Sequence, residues 1–440
     1  MQRWILGVVA LGIFSLPVYA ENWPGWRGPR HDGTTRETGF PLKWSASDNV
    51  AWKTAIPGRG HSSPIVWDDR LFLTSCIEGP DAKDKATPRD RVLFCVDRKG
   101  GRILWQKTIV ASKLEPIHSE NSYSSSTPAT DGKLVYVTSF DIPNAIVAAY
   151  DFAGNEVWKK SPGEFQSTHG FGIPPILYKD FVIVNCDQDG EGRKKPAYIV
   201  ALDKKTGEEK WRIDRPRRIR SYCPPLIVEA GGKMQMVLTG CWTVASYDPD
   251  TGKPIWNIKG PTEQFVASMI YHKEHFYLTA GFPTYHVMCI KPNGIGDISE
   301  DLTIDAKATP PKVEPNPNSG VVWHETKGAG YVPSPVAHGE NIFLVHDDGR
   351  ASCRDALTGK LHWLERLGKH YHASPVEADG RIYFVDDSGH THVVKADAKF
   401  EVLAENPLGE ACSSSPAFSR GQIFIRGANH LFCIGKEKVD

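Results

Sequence analysis

Apolar and polar residues alternate along this chain in short runs, and the runs come in sets. Arg381–Asp387 and His392–Asp397 are two of them, with the period-two pattern of half-buried β-strands rather than the period of helices. A set opens on small polar residues followed by proline, as in His61–Ile65, Tyr331–Val336, Tyr371–Val376 and Cys412–Ala417. Pro335 and Pro375 stand 40 residues apart, and Pro375 and Pro416 stand 41. Four short strands every roughly 40–50 residues, joined by Gly, Asp and Asn turns, describe the blades of a β-propeller.

A second periodic feature sits late in each set. Asp203–Trp211, Asp248–Trp256 and Asp355–Trp363 share one layout, with Asp first, Thr-Gly inside and Trp last. Asp97–Trp105 keeps the spacing without Thr, and Asp151–Trp158 is one residue shorter. The motif predicts a tight turn between a third and a fourth strand, Asp capping backbone N–H groups and Gly taking positive φ. The Trp that follows would lie on the outer strand and pack against the neighbouring blade. Trp52, Trp105, Trp158, Trp211, Trp256, Trp323 and Trp363 hold this repeat position. No blade can bury both faces alone, so the array has to stack and close.

Counted this way, blades run near 61–109, 123–161, 170–214, 221–260, 265–327, 331–367 and 371–405, and an eighth from Cys412 to Ile434 lacks its fourth strand. Ala51–Ile56 resembles Leu104–Ile109 yet follows no strands of its own. It is predicted to complete the eighth blade, pairing with 422–426 and removing two open sheet edges. The expected fold is all-β: an eight-bladed propeller of four-stranded antiparallel blades over 49–440, preceded by an extended segment, 21–48. Blade five is irregular, with a degenerate turn at Lys291–Gly294 and a Pro-rich insertion, Ala308–Gly320, before Trp323. Blade seven has Leu403 where Trp is expected, and Ile77–Asp90 and Asp187–Pro196 lengthen loops.

Charge and the first residues narrow the setting. The chain has 440 residues, with Lys+Arg and Asp+Glu both 52, so it carries no global field that would gather nucleic acid. Residues 1–20 combine Arg3, the apolar run Trp4–Leu16 and the small-residue end Val18-Tyr19-Ala20, which reads as a cleaved secretory signal. No Cys follows the cleavage point, so a lipid anchor is not expected, and no later run is long enough to span a bilayer. The expected product is a secreted monomer, periplasmic or extracellular, with no membrane span after cleavage.

The Asp-x-x-Thr-Gly-x-x-x-Trp turns, over about 49–436, resemble those of pyrroloquinoline-quinone (PQQ)-like β-propeller repeat proteins. That fold is shared by quinoprotein dehydrogenases and the outer-membrane β-barrel assembly lipoprotein. Trp23–Pro29, Val50–Ile65 and Asn406–Glu410 resemble a group of secreted, single-domain PQQ-like proteins common in planctomycetes and other environmental bacteria. The resemblance implies architecture, and the functional residues of neither relative carry over. Quinoprotein alcohol dehydrogenases have a vicinal Cys-Cys ring and a Glu/Asn/Asp calcium set; this chain has no adjacent cysteines, no Cys-x-x-Cys-His haem motif and no matching calcium set. The lipid-bearing Cys of the assembly lipoprotein is missing as well.

Seven of the nine cysteines follow the repeat. Cys95, Cys289, Cys353 and Cys433 stand two residues before the third-strand turn, where other blades have Ala149, Ala201 and Ser246. Cys76, Cys186 and Cys241 end second strands, where another blade has Ser139. A cysteine exchangeable with Ala or Ser is a small buried side chain; Cys223 and Cys412 do not fit this scheme. No Cys-x-x-Cys zinc spacing exists, and no metal site is expected. The basic run Arg215–Arg220 reads as a solvated loop.

The candidate site is the ring of residues just before each first strand. Inner strands line a propeller's axis, so these residues converge at one mouth: Arg59 and His61; His118, Glu120, Asn121 and Tyr123; His169; Arg220 and Tyr222; Gln264; Tyr331; His370 and His372. They differ from blade to blade while the framework repeats, which suits an asymmetric polar pocket. His and Tyr could relay protons and Arg could hold a carboxylate or phosphate; the plainer alternative is loop polarity at a solvated mouth. Three functions stay open: a binding or scaffolding module with a small polar ligand or an envelope or extracellular protein partner; a quinoprotein-like oxidoreductase using PQQ or another polar ligand; and a cell-envelope assembly factor.

Overall fold

The structure, a computed structural model, describes residues 20–77, 79, 84–166, 168–188, 197–215, 220–240 and 242–437. The expected signal segment, residues 1–20, therefore falls outside the described residues, apart from Ala20. Eight four-stranded antiparallel blades form a β-propeller, and the described residues contain no helix. In blade 1 the strands Ile65–Trp67, Arg70–Cys76, Arg89–Asp97 and Ile103–Ser112 pair in sequence from the axis outward. The other inner strands are Ala129–Thr130, Ile176–Tyr178, Leu226–Ala230, Ile270–His272, Val336–His338, Val376–Ala378 and Ala417–Ser419.

Closure uses the N-terminal strand, but not through the expected partner. Val50–Ala55 pairs with His430–Ile434, placing Trp52 opposite Cys433 and Thr54 opposite Leu431. The segment 422–426 is the blade's second strand, already paired on one side with Ala417–Ser419 and on the other with His430–Ile434. Only the third strand has an open edge to offer. Two buried arginines cross the same seam in opposite directions. Arg98 of blade 1 donates to the Ser419 carbonyl (2.6 Å) and to Gln422 Oε1 (3.0 Å), and Arg426 of blade 8 donates to the Thr74 carbonyl and to Ser75 Oγ (3.0 Å).

The turn motif has an inter-blade reason. The indole N–H of five of the seven repeat tryptophans donates to a backbone carbonyl in the turn of the next blade. Trp52 reaches Arg98, Trp105 reaches Phe152, Trp158 reaches Lys204, Trp323 reaches Ala356 and Trp363 reaches Asp397, at 2.7–3.1 Å. The turn glycine lies under that ring. Gly207 has φ +71°, and a Cβ there would stand 2.6 Å from Trp158 Cε3. Gly is required twice over, by its backbone and by the neighbour's indole.

Blade 5 lacks the turn, and Trp256 compensates within its own blade. It is 1% exposed and donates to Gln235 Oε1 (2.8 Å), while Gln235 Nε2 donates to the carbonyls of Ala230 and Pro292, both at 2.9 Å. Trp211, in the equivalent repeat position, is only half-buried, with a buried indole nitrogen that has no hydrogen-bond partner. The insertion in blade 5 adds Gly296–Asp297 parallel to the outer strand Pro254–Lys259 of blade 4, then a hairpin of Asp301–Asp305 and Lys312–Pro315. Arg215 corrects the solvated-loop reading at that point: its guanidinium is buried against Asp187, at 2.8 and 3.1 Å, and donates to the Gly240 carbonyl. Residues 216–219 of the basic run lie outside the described residues, as does most of 187–196.

Cys95, Cys186, Cys223, Cys289, Cys353, Cys412 and Cys433 are buried free thiols, Cys76 is buried, and Cys241 lies outside the described residues. Burial pushes the thiols of Cys95, Cys186, Cys289, Cys353 and Cys433 up to about 12 and that of Cys412 to about 11. The thiolate is the reactive form, so the native protein should resist a thiol reagent at neutral pH. Denatured under non-reducing conditions, it should titrate most of its nine cysteines. Four disulfides in the intact mass would contradict this.

Candidate binding site in the axial channel

The Ser-Pro and Thr-Pro landmarks build the channel wall. The backbone N–H of Ser268 donates to Ser334 Oγ, Ser334 to Ser374, Ser374 to Ser415, Ser415 to Ser63 and Ser63 to Thr127, at 2.9–3.1 Å. Each hydroxyl thus accepts from an adjoining blade, and the chain of bonds runs from blade 5 through the closure seam to blade 2. The proline after each hydroxyl presets the extended entry into the inner strand.

Residues 21–48 thread the axis and close it at one end. The Trp23 backbone pairs with Val66 of blade 1, and the Thr130 N–H of blade 2 donates to the Pro24 carbonyl. Trp26 Nε1 donates to Ser268 Oγ at 2.8 Å. Arg27, buried, donates to the carbonyls of Pro375 (2.5 Å) and Pro335 (2.7 Å). Phe40 then packs on Phe418 and Trp44 stacks on Tyr383, leading the chain into Val50–Ala55. Above Trp26 lies a cavity of about 390 Å³, walled by all eight blades and open at the opposite mouth.

The mouth residues named from the sequence mostly meet there. His61, His118, Glu120, Asn121, His169, Arg220, Tyr222, Gln264, Tyr331 and His372 line the cavity. Three do not. Arg59 pairs its backbone with Cys76, Tyr123 stacks under the Arg91 guanidinium at 5.8 Å, and His370 stands at the rim beside His372, ring centroids 4.8 Å apart. Sequence reasoning missed Trp26 as the floor, the apolar wall of Val266, Phe282 and Val332, and Asp387. The pairing of Asp347 in blade 6 with Asp387 in blade 7, at matching positions of a repeat, is the signal that could have found the last.

Arg220 and His169 form the cationic side. Arg220 Nε donates to His169 Nδ1 at 3.1 Å, and Asn121 Nδ2 donates to the His169 carbonyl at 2.6 Å. The opposite side is a His–carboxylate cluster. Asp387 Oδ2 accepts from His370 Nδ1 (2.6 Å) and His372 Nδ1 (2.7 Å), and its Oδ1 accepts from the His372 N–H (2.9 Å). Glu120 stands 3.7 Å from His372 Nε2 and 3.8 Å from His370 Nε2. Burial lowers the His372 pKa, but the hydrogen bond and charge of Asp387, with Glu120 and Asp347, outweigh it and hold the imidazole above its usual value. Desolvation raises Asp387, yet its bonds to His372 and His370 keep it below the usual carboxylate range. His61 goes the other way, to about 4, through burial first and then the nearby positive charges of His372 and Arg426. At neutral pH it is a neutral imidazole.

An eight-bladed propeller with an axial pocket sealed by its own N-terminal segment is the class of protein these features define. The family model described as outer membrane protein assembly factor BamB matches residues 89–272 and 313–430, more than half of the chain, and the chain belongs to that family. Among curated proteins none matches it in sequence. Two solved structures share the fold: BamB from Moraxella catarrhalis, at 11% identity and TM-score 0.57 over 88% of this chain and 99% of that one, and the quinohemoprotein alcohol dehydrogenase of Comamonas testosteroni, at 14% and 0.61 over 95% and 81%. At these identities the likeness is one of fold. The described residues include no helix long and apolar enough to cross a membrane.

Proposed function

We propose that this chain is an exported, non-catalytic binding module that holds a small anionic ligand in the axial pocket, acting as a monomer in the periplasm or outside the cell. The observation that carries the reading is the sealed floor. Trp26 and Arg27 end the channel inside the ring, so the cavity is a recess of ligand size rather than a conduit. Within it Arg220 supplies a fixed positive charge with planar donors suited to a carboxylate or phosphate, and Phe282, Tyr331 and Trp26 supply apolar surface.

The oxidoreductase reading is less well supported by the residues present. The seven free thiols among the described residues are buried and none lines the pocket, so among these residues no cysteine pair faces a quinone there. Among the described residues lining the pocket the one carboxylate, Glu120, sits with imidazoles, whereas calcium favours all-oxygen sets. Family membership supports a role in envelope assembly, with a protein partner on the propeller surface, as a second reading. Purification from the native envelope, followed by an absorption spectrum and mass analysis of bound small molecules, separates the three. A bound carboxylate or phosphate supports the pocket reading, a quinone band would overturn it in favour of an enzyme, and a co-purifying envelope protein with an empty pocket would favour assembly.

Arg220→Ala tests the pocket directly. Loss of a charge-assisted bond costs about 1.5–3 kcal/mol, so affinity for a ligand identified in that way should fall roughly ten- to hundredfold. Thermal unfolding should change little, because Arg220 is only half-buried at the mouth. Unchanged affinity, or early melting, would make the mouth structural.

A further inference from the structure

We propose that Glu120, His370 and His372 form a binding site for a divalent transition-metal ion, zinc foremost, at the rim of the axial pocket. One ligand atom from each lies within 4.8 Å of the others. The Glu120 oxygens are 3.7 and 3.8 Å from the two Nε2 atoms, beyond hydrogen-bond length. Two ligands each about 2.0–2.2 Å from a tetrahedral zinc ion stand roughly 3.3–3.6 Å apart, so small side-chain movements would bring the three atoms onto one ion.

The orientation of the rings carries the argument furthest. A single oxygen of Asp387 accepts from both Nδ1 atoms. A carboxylate can only accept, so each ring holds a proton on Nδ1, and in its neutral form offers the Nε2 lone pair on the side of Glu120. A carboxylate behind a histidine, fixing its tautomer and aim, is the outer shell of a metal site.

Blade 6 shows that the loop itself does not need the imidazoles. There Asp347 Oδ1 accepts from the N–H groups of Tyr331 (3.2 Å) and Val332 (3.0 Å), the same backbone task that Asp387 performs for His372. Counted back from Pro335 and Pro375, Gly330 and Val332 occupy the positions of His370 and His372. The carboxylate is structural in both blades; the two histidines are added in one. Glu120 comes from another blade, on the long connection 113–128, so no spacing along the chain shows the set, and the proposal departs from the sequence-based expectation of no metal site. Two imidazoles and one carboxylate suit zinc and its neighbours better than calcium or magnesium. Three protein ligands leave a coordination position toward the cavity.

The test uses the full mature protein, stripped with chelator and exchanged into metal-free buffer. Zinc(II) alone is titrated against a chromogenic competitor, and cobalt(II) serves as a spectroscopic probe. One equivalent should bind, with cobalt giving a visible band of nitrogen and oxygen ligation. Glu120→Gln and the double variant His370→Ala/His372→Ala should lose that equivalent and the band, while melting in chelator as wild type does. Asp387→Asn, a positioning change, should weaken binding by about 10–100-fold. His390→Ala, an exposed histidine of the same blade bonded to Ser388, should bind like wild type. Absence of a stoichiometric site in the wild type, or a full equivalent retained by Glu120→Gln and by the double variant, would overturn the proposal. Anion binding through Arg220 is measured separately in chelator, so failure of that reading and failure of this one are distinct results.

Discussion

Deletion of residues 45–57 is expected to abolish the closed, monomeric propeller. The deletion removes the whole strand Val50–Ala55, and with it every backbone bond that His430–Ile434 makes on its outer side. It also removes the Trp52 indole from the blade 1 turn, where it donates to the Arg98 carbonyl at 2.7 Å, and Thr54 Oγ1 from the Gly101 carbonyl at 2.7 Å. Blade 8 would be left with three strands and an unpaired, apolar edge, the kind of surface on which sheets aggregate. Arg98 and Arg426 would still bridge blades 1 and 8, but at the inner half of the seam only. Light scattering and thermal unfolding should show aggregates or a lost cooperative transition. A truncated chain that stays monomeric with an unchanged melting curve would show that the ring does not depend on this strand.

Trp256→Ala is expected to be the most damaging single change among the repeat tryptophans, by about 3–5 kcal/mol. Its ring is fully buried beside Phe276, so truncation leaves a cavity in the contact between blades 4 and 5. Its N–H and the Ser246 hydroxyl both donate to Gln235 Oε1, and one of these bonds would be lost inside the core. Trp211→Ala should cost less, since that ring is half-exposed and its nitrogen already lacks a partner. The comparison is made by urea unfolding of both variants. Equal costs, or a larger one for Trp211, would show that the neighbouring-blade contact matters more than burial.

Much of this architecture could be read from the chain because each blade repeats the same local solution. Turns such as Asp203–Trp211 need Gly at a fixed offset, and the apolar alternation of segments such as Ile382–Val385 admits only strands. Even the closure was legible, from a fourth strand missing at one end and a spare one at the other. What failed was the register: 422–426 and 430–434 are both apolar runs, and only the pairing of one with its own hairpin partner decides which edge is left.

The propeller, its blade count and most of the residues at one mouth were thus determined by local pattern, since equivalent positions of a closed ring must converge. The tertiary structure decided what has no periodicity. Residues 21–48 carry no repeat, so nothing in their sequence says that Trp26 and Arg27 seal the axis. The hydroxyl before each landmark proline looks like turn chemistry until the blades are side by side and it accepts from the preceding one. Glu120 and His370 lie 250 residues apart and on different blades; they meet because a long loop crosses the mouth, and no spacing along a chain encodes the point where two loops cross in space.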